Sequence, residues 1–188
     1  MATELSGPQW VSRFPTSTLV TALAQPFQGG VSRFITALNN AGAQVSISAT
    51  YRPAERAYLM HYAYRIAREH FDPAHVPAHI GVNITWMHTN AQGQPDVAAS
   101  RKAAEQMVAG YHIVHRPSLT SRHTQRLAID MNISWTQNLV VLDAGGHQVT
   151  ITSVPRTGAG NHNLHTLGAS YGVQKLQTDP PHWSNDGH

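Results

Sequence analysis

The segment Ser121-Arg122-His123-Thr124-Gln125-Arg126-Leu127-Ala128-Ile129-Asp130 sets a histidine and an aspartate seven residues apart. Bridged by a turn running into a strand, the pair can aim one imidazole nitrogen and one carboxylate oxygen at a common point. A second histidine would complete a three-ligand set. His182 is the best placed, in Asp179-Pro180-Pro181-His182-Trp183-Ser184, where two prolines stiffen the backbone and Trp183 can wall off water. Two imidazoles and a carboxylate leave the fourth position of a tetrahedral ion to water, the arrangement of a catalytic rather than a structural zinc. Asp179, three residues before His182, can then serve as general base and return the proton to a leaving amine. Taken singly, each fragment also has an ordinary reading: His123 as a hydrogen-bonded residue at a strand turn, Asp130 as a turn cap, Asp179 as the Asx residue of a proline-rich turn.

Composition narrows the chemistry further. The chain has 188 residues, 41% hydrophobic and 12% charged, with 14 Gly and 11 Pro, which excludes collagen-like repeats, coiled coil and gross disorder. At a soft figure of about 150 residues per domain, one domain over residues 1–188 with a single core is expected. The net charge is +3, and only Lys102 and Lys175 are lysines. The arginines are dispersed with no basic stripe interleaved with aromatics, so no nucleic-acid partner is expected. There are 13 histidines and no cysteine, so a tight metal site must be built from His, Asp and Glu. The first thirty residues lack a basic region followed by an apolar stretch, and no run reaches the length of a membrane span. The expectation is synthesis in the cytoplasm without a standard signal peptide and without a transmembrane helix.

The elements that must position these residues follow from periodicity. Val31 to Asn40 spaces its apolar residues helically, Gln44 to Ala49 alternates as a strand, and Pro53 opens a long helix over Ala54 to His70. Residues 71–98 read as an extended loop with one short strand or turn around Gly81 to His88. Asp96 to His112 is a helix closed by Gly110. Leu127 to Ile133, Asn138 to Asp143 and Gln148 to Thr152 are three strands, the last two joined by a tight turn at Ala144 to His147, and they suggest an antiparallel meander. Asn161 to Ser170 is a last helix, and Tyr171 to Lys175 an extended piece. The predicted fold class is α+β, an antiparallel sheet with helices packed on one side.

Together, S-x-H-x6-D and the later D-x-x-H-W resemble the zinc peptidases that include D-alanyl-D-alanine carboxypeptidases, D-Ala-D-Ala dipeptidases and phage L-alanyl-D-glutamate endopeptidases, which share a hedgehog-like α+β fold. The resemblance spans about residues 44–184. It implies one Zn2+ per chain held by His123, Asp130 and His182, with Asp179 at the catalytic acid/base position. It further implies that Arg52, in Ser48-Ala49-Thr50-Tyr51-Arg52-Pro53, binds substrate oxygen and stabilises developing charge, as a guanidinium fork suits. Ser121 matches the serine of the motif, a substrate or turn contact, and Trp183 would join the substrate-binding wall. Two departures stand out. Arg126 falls where such motifs often have glycine, and the base position is Asp rather than the Glu of many members, which favours the endopeptidase-like branch.

The function implied is hydrolysis of a peptide bond in peptidoglycan, in the stem peptide or a crosslink, in the periplasm or cell wall. Delivery would be by lysis or a secretion system, as a phage endolysin or an antibacterial effector, the latter with an immunity protein as partner. Two rivals belong to other classes: a non-catalytic zinc-containing cell-wall-binding domain, against which Asp179 argues, and a histidine-rich metal buffer, which would bind several ions loosely. Tyr51, His88 and His165 are further candidates to line a cleft, while Trp86 and Trp135 read as packing.

Overall fold

A computed structural model describes residues 3–188. Its elements are β1 (Glu4–Leu5), α1 (Phe27–Asn40), β2 (Gln44–Ala49), α2 (Ala54–Arg68), β3 (Ile84–Thr85), β4 (His88–Thr89), β5 (Pro95–Asp96), α3 (Val97–Gly110), β6 (Ala128–Ser134), β7 (Leu139–Leu142), β8 (Gln148–Ile151), α4 (His162–Ser170), β9 (Gln174–Lys175) and β10 (His182–Ser184), with short 3-10 turns at Pro8–Trp10, Val20–Ala22 and Pro73–His75. The fold is α+β with mostly antiparallel pairing.

Local chemistry sets the helix ends. The Asp96 carboxylate accepts from Ala99 N–H at 2.8 Å at the start of α3, and Asn161 Oδ1 accepts from Leu164 N–H at 3.0 Å at the start of α4. Each satisfies one of the amide donors a helix leaves free in its first turn. α2 starts directly after Pro53, whose fixed φ suits a helix start. Past α2 and α3 the chain turns off through left-handed residues, His70 at φ 55° and His112 at φ 56°.

The backbone forms two compact units that alternate along the chain, one made of residues 1–15 and 53–121, the other of residues 16–52 and 122–188. The sequence reading expects one core; apolar side chains instead gather in two clusters, one inside each unit. Chain length and composition cannot register segments that alternate between units. In the first unit α2 and α3 bury Tyr58, Leu59, Ile66, Ala104 and Met107 together.

The second unit carries a four-stranded antiparallel sheet in the order β2-β6-β10-β9. Val31, Phe34 and Leu38 of α1 and Leu164 and Leu167 of α4 share one cluster with Ile129, Met131, Ile133 and Trp183 of the sheet. Because successive strand side chains point to opposite faces, Asp130 and Asn132 lie on the face of β6 turned away from this core. The expected meander does not form: β7 and β8 pair only with each other, since β6 already has β2 on one edge and β10 on the other. The sequence placed no strand at 182–184, so nothing in it marked that second edge as taken.

Two adjacent glycines of α1 discriminate packing from propensity. A Cβ on Gly30 would collide with the Tyr171 carbonyl oxygen, whereas one on Gly29 meets only the end of the Gln25 side chain at 3.3 Å. Gly30→Ala should lose about 1–3 kcal/mol through overpacking against backbone, while Gly29→Ala should gain roughly 0.5–1 kcal/mol from helix propensity. Denaturant midpoints of the two variants check the opposite signs.

Candidate metal centre

Cross-strand register creates the site. His182 of β10 pairs with Asp130 of β6, and Trp183 with Ile129. The alternation that sends Trp183 and Ile129 into the core sends His182 and Asp130 together to the other face. His123 reaches them from the loop before β6. That loop is closed by Leu127 N–H donating to Arg122 O at 2.8 Å and Arg126 N–H to His123 O at 3.2 Å, and it uses a left-handed residue, Arg126 at φ 63°.

Three ligand atoms converge: His123 Nε2 and Asp130 Oδ1 are 3.1 Å apart, His123 Nε2 and His182 Nδ1 3.2 Å, and His182 Nδ1 and Asp130 Oδ1 3.0 Å. Tetrahedral bonds of about 2.0–2.1 Å set ligand atoms roughly 3.3–3.4 Å apart, so a small contraction separates this triangle from a coordination face. The other ring nitrogens are committed. His123 Nδ1 lies 2.8 Å from Thr50 O, and His182 Nε2 lies 3.1 Å from His188 O. A main-chain oxygen only accepts, so those nitrogens carry the protons, and in neutral rings His123 Nε2 and His182 Nδ1 present lone pairs. Two lone pairs and a carboxylate oxygen facing one another are the donor set a metal ion takes. Histidines oriented by main-chain oxygens in this way match the usual outer shell of a metal ligand. His123, Asp130 and His182 therefore form a mostly buried group able to hold a metal ion.

The same proximity dominates the electrostatics. Burial opposes ionisation of Asp130, but its hydrogen bonds and charge interactions with His123 and His182 outweigh that and hold the carboxyl well below the usual carboxylate range. For His182, burial disfavours the cation, yet the hydrogen bond and charge of Asp130 carry the ring above its ordinary value.

Thr50 anchors the His123 carbonyl partner. It is fully buried; its N–H donates to Ser17 O at 2.7 Å, and its hydroxyl to Ser17 O and Leu19 O, each at 3.0 Å. A register shift between Ile47 and Ala49 inserts one extra residue into β2 opposite β6. Such a bulge re-aims the following backbone, here toward His123.

Arg52 follows at the end of this segment, half-buried, its N–H donating to His123 O at 3.2 Å. Burial lowers its pKa and the charge of Asp130 works against that, so the guanidinium stands within electrostatic reach of the three ligands. Asp179 is exposed in the turn before β10, and its carboxylate acts electrostatically on both His182 and Lys175. Asp179 and Arg52 thus join the trio in the second unit.

Trp183 does not join them. It is fully buried, stacked at a tilt on Phe34 with centroids 5.7 Å apart and edge-on to His165 at 5.6 Å. As the strand neighbour of His182 it must face the core, which corrects its expected substrate contact. His165 faces the same core, with Nε2 donating to Gly158 O at 2.8 Å. Ser121 is the last residue of the first unit. His88 also belongs to that unit, its Nε2 2.9 Å from Ser6 Oγ. Tyr51 lies under the Arg126 guanidinium, 4.4 Å from ring centroid to Cζ.

Thr50, Lys175 and the carbonyl of His188 have no sequence signal, because two of them act through main-chain oxygens and the third through a buried ammonium. No protein-family model matches the chain, and no curated protein matches it significantly. Among the described residues no helix is long and apolar enough to cross a membrane.

One divalent ion per chain is the expected stoichiometry by equilibrium dialysis and metal analysis. Substituting any one of His123, Asp130 or His182 with Ala should weaken binding by more than the roughly 10–100-fold cost of losing an outer-shell partner. The loop makes a separate prediction. Arg126→Gly and Arg126→Ala both lose the stacking on Tyr51, but only glycine tolerates the left-handed backbone freely, so the Gly variant should be the more stable by about 1–2 kcal/mol. Thermal and denaturant unfolding of the pair measure that difference.

Proposed function

We propose that this chain is a zinc-dependent peptidoglycan peptidase with the hedgehog-like fold of the D-alanyl-D-alanine carboxypeptidase and L-alanyl-D-glutamate endopeptidase family. The observation that carries the reading is the convergence of His123 Nε2, Asp130 Oδ1 and His182 Nδ1, each imidazole tied through its other nitrogen to a main-chain oxygen. Peptidoglycan as substrate rests on the S-x-H-x6-D and D-x-x-H-W resemblance.

A zinc ion held there would supply Lewis acidity and an acidified water at neutral pH. The chain's own residues do the rest. Asp179, exposed three residues before His182, is free to accept a proton from attacking water and hand it to the amine that leaves. Arg52 brings a planar fork of N–H donors beside the ligands, suited to hold the scissile carbonyl oxygen or a neighbouring carboxylate and to offset charge that develops there. The amide is attacked directly, with no acyl-enzyme. An enzyme of this kind acts in the periplasm or cell wall, as an endolysin or as an antibacterial effector paired with an immunity protein.

Mass spectrometry of purified peptidoglycan digested by the zinc-loaded protein should reveal new stem-peptide fragments whose masses name the bond. Chelator should abolish them, and Asp179→Ala should slow their release by about 10²–10⁴-fold, the usual contribution of a positioned general base. One zinc per chain with no product would replace this reading by a non-catalytic wall-binding domain.

A further inference from the structure

Lys175 is buried in β9, with 8% of its surface exposed, and it forms no ion pair with a carboxylate among the described residues. Its ammonium is spent on backbone instead. Nζ donates to the carbonyl oxygens of Leu176 and Asp179 at 2.5 Å each and of His182 at 3.1 Å. An ammonium has three N–H bonds and no acceptor, so all three are used, and their targets are the start, middle and end of the turn 176–182.

Pro180 and Pro181 have no N–H to give that turn. Its own backbone bonds are Leu176 N–H to His182 O at 3.1 Å, Asp179 N–H to Leu176 O at 3.3 Å and His182 N–H to Asp179 O at 3.1 Å, and Pro181 O accepts from Met131 N–H of β6 at 2.8 Å while Gln177 Nε2 lies 3.1 Å from His165 Nδ1. Only the lysine ammonium ties the start, middle and end of the turn to one point. Yet the turn carries both Asp179 and His182, whose relative placement decides whether a base and a metal ligand serve one centre. Packing alone would be met by an apolar side chain, since an unpaired ammonium is costly to bury.

We propose that Lys175 is a positioning residue whose ammonium, bonded to the carbonyls of Leu176, Asp179 and His182, pre-organises the turn so that His182 meets the other two ligands with Asp179 beside them. The inference rests on the metal-centre reading given under the proposed function. Its consequence is that metal binding and closure of the lysine cage are coupled. By linkage, each stabilises the other by the same factor.

The test uses the full chain and zinc alone, without peptidoglycan. Lys175→Met keeps the length and removes the three donors; it should weaken zinc binding about 10–100-fold, the range for an outer-shell partner, and alter the visible spectrum of the cobalt-substituted protein. Lys102→Met, on an exposed part of α3, should change neither. Should Lys175→Met fail to fold, the wild type still decides. Mild amine acetylation read by peptide mass spectrometry should modify Lys175 at least about 10-fold more slowly with zinc than without, the same coupling factor seen from the other side, while Lys102 reacts equally in both. Wild-type zinc affinity in Lys175→Met, or a Lys175 labelling rate indifferent to zinc, overturns the inference and leaves the peptidase reading standing. A wild type that takes up no zinc overturns both.

Discussion

Two imidazole nitrogens and a carboxylate oxygen are held within 3.2 Å of one another at His123, Asp130 and His182, and the surrounding architecture serves to keep them there. Thr50 O and His188 O fix the orientation of both rings by taking the opposite nitrogens. Polar groups oriented in this way collect on one face of a sheet whose other face is apolar, and together they are able to hold a metal ion.

The sheet separates the two tasks with the two-residue period of a strand. Along β6, Ile129, Met131 and Ile133 fill the core under α1 and α4 while Asp130 faces the site. Along β10, Trp183 fills the core while His182 faces the site, and the antiparallel register brings Asp130 and His182 directly opposite. A slip of one residue in this pairing would exchange Trp183 for His182 and dismantle core and site together. The apolar packing that stabilises the unit therefore also enforces the alignment of the ligands.

Much of this is legible in the sequence. The helices over 54–68, 97–110 and 162–170 follow from apolar spacing and from Pro53, Asp96 and Asn161 at their starts, because those signals are local. The grouping of His123, Asp130 and His182 is legible only from the joint pattern S-x-H-x6-D and D-x-x-H-W, since each residue alone has an ordinary reading. Trp183 was misassigned although the information was present: a residue adjacent to a strand ligand must face away from it. Recognising that needed β10, a three-residue strand behind two prolines with no pattern long enough to read. The bulge in β2, the Thr50 carbonyl and the Lys175 cage depend on backbone groups, which every residue type supplies alike. The alternation of segments between two units is likewise invisible to periodicity, which reports only on neighbours in the chain.

The loop of Arg122 to Leu127 shows how tightly these demands interlock. It must leave His123 pointing at Asp130 and still feed Leu127 into the sheet, and it closes that short path with a left-handed residue at Arg126. The conformation is over-determined: Arg126 N–H donates to His123 O at 3.2 Å, and Arg126 O accepts from Ala24 N–H at 2.9 Å. Glycine would adopt it without strain, yet arginine puts a guanidinium over Tyr51, the residue between Thr50 and Arg52. Side chain and backbone of Arg126 thus bear on the same segment that orients His123 and carries Arg52. Strain of this kind persists where the surroundings fix it more strongly than the residue resists, and here those surroundings are the carbonyl of His123 and the segment leading into α1.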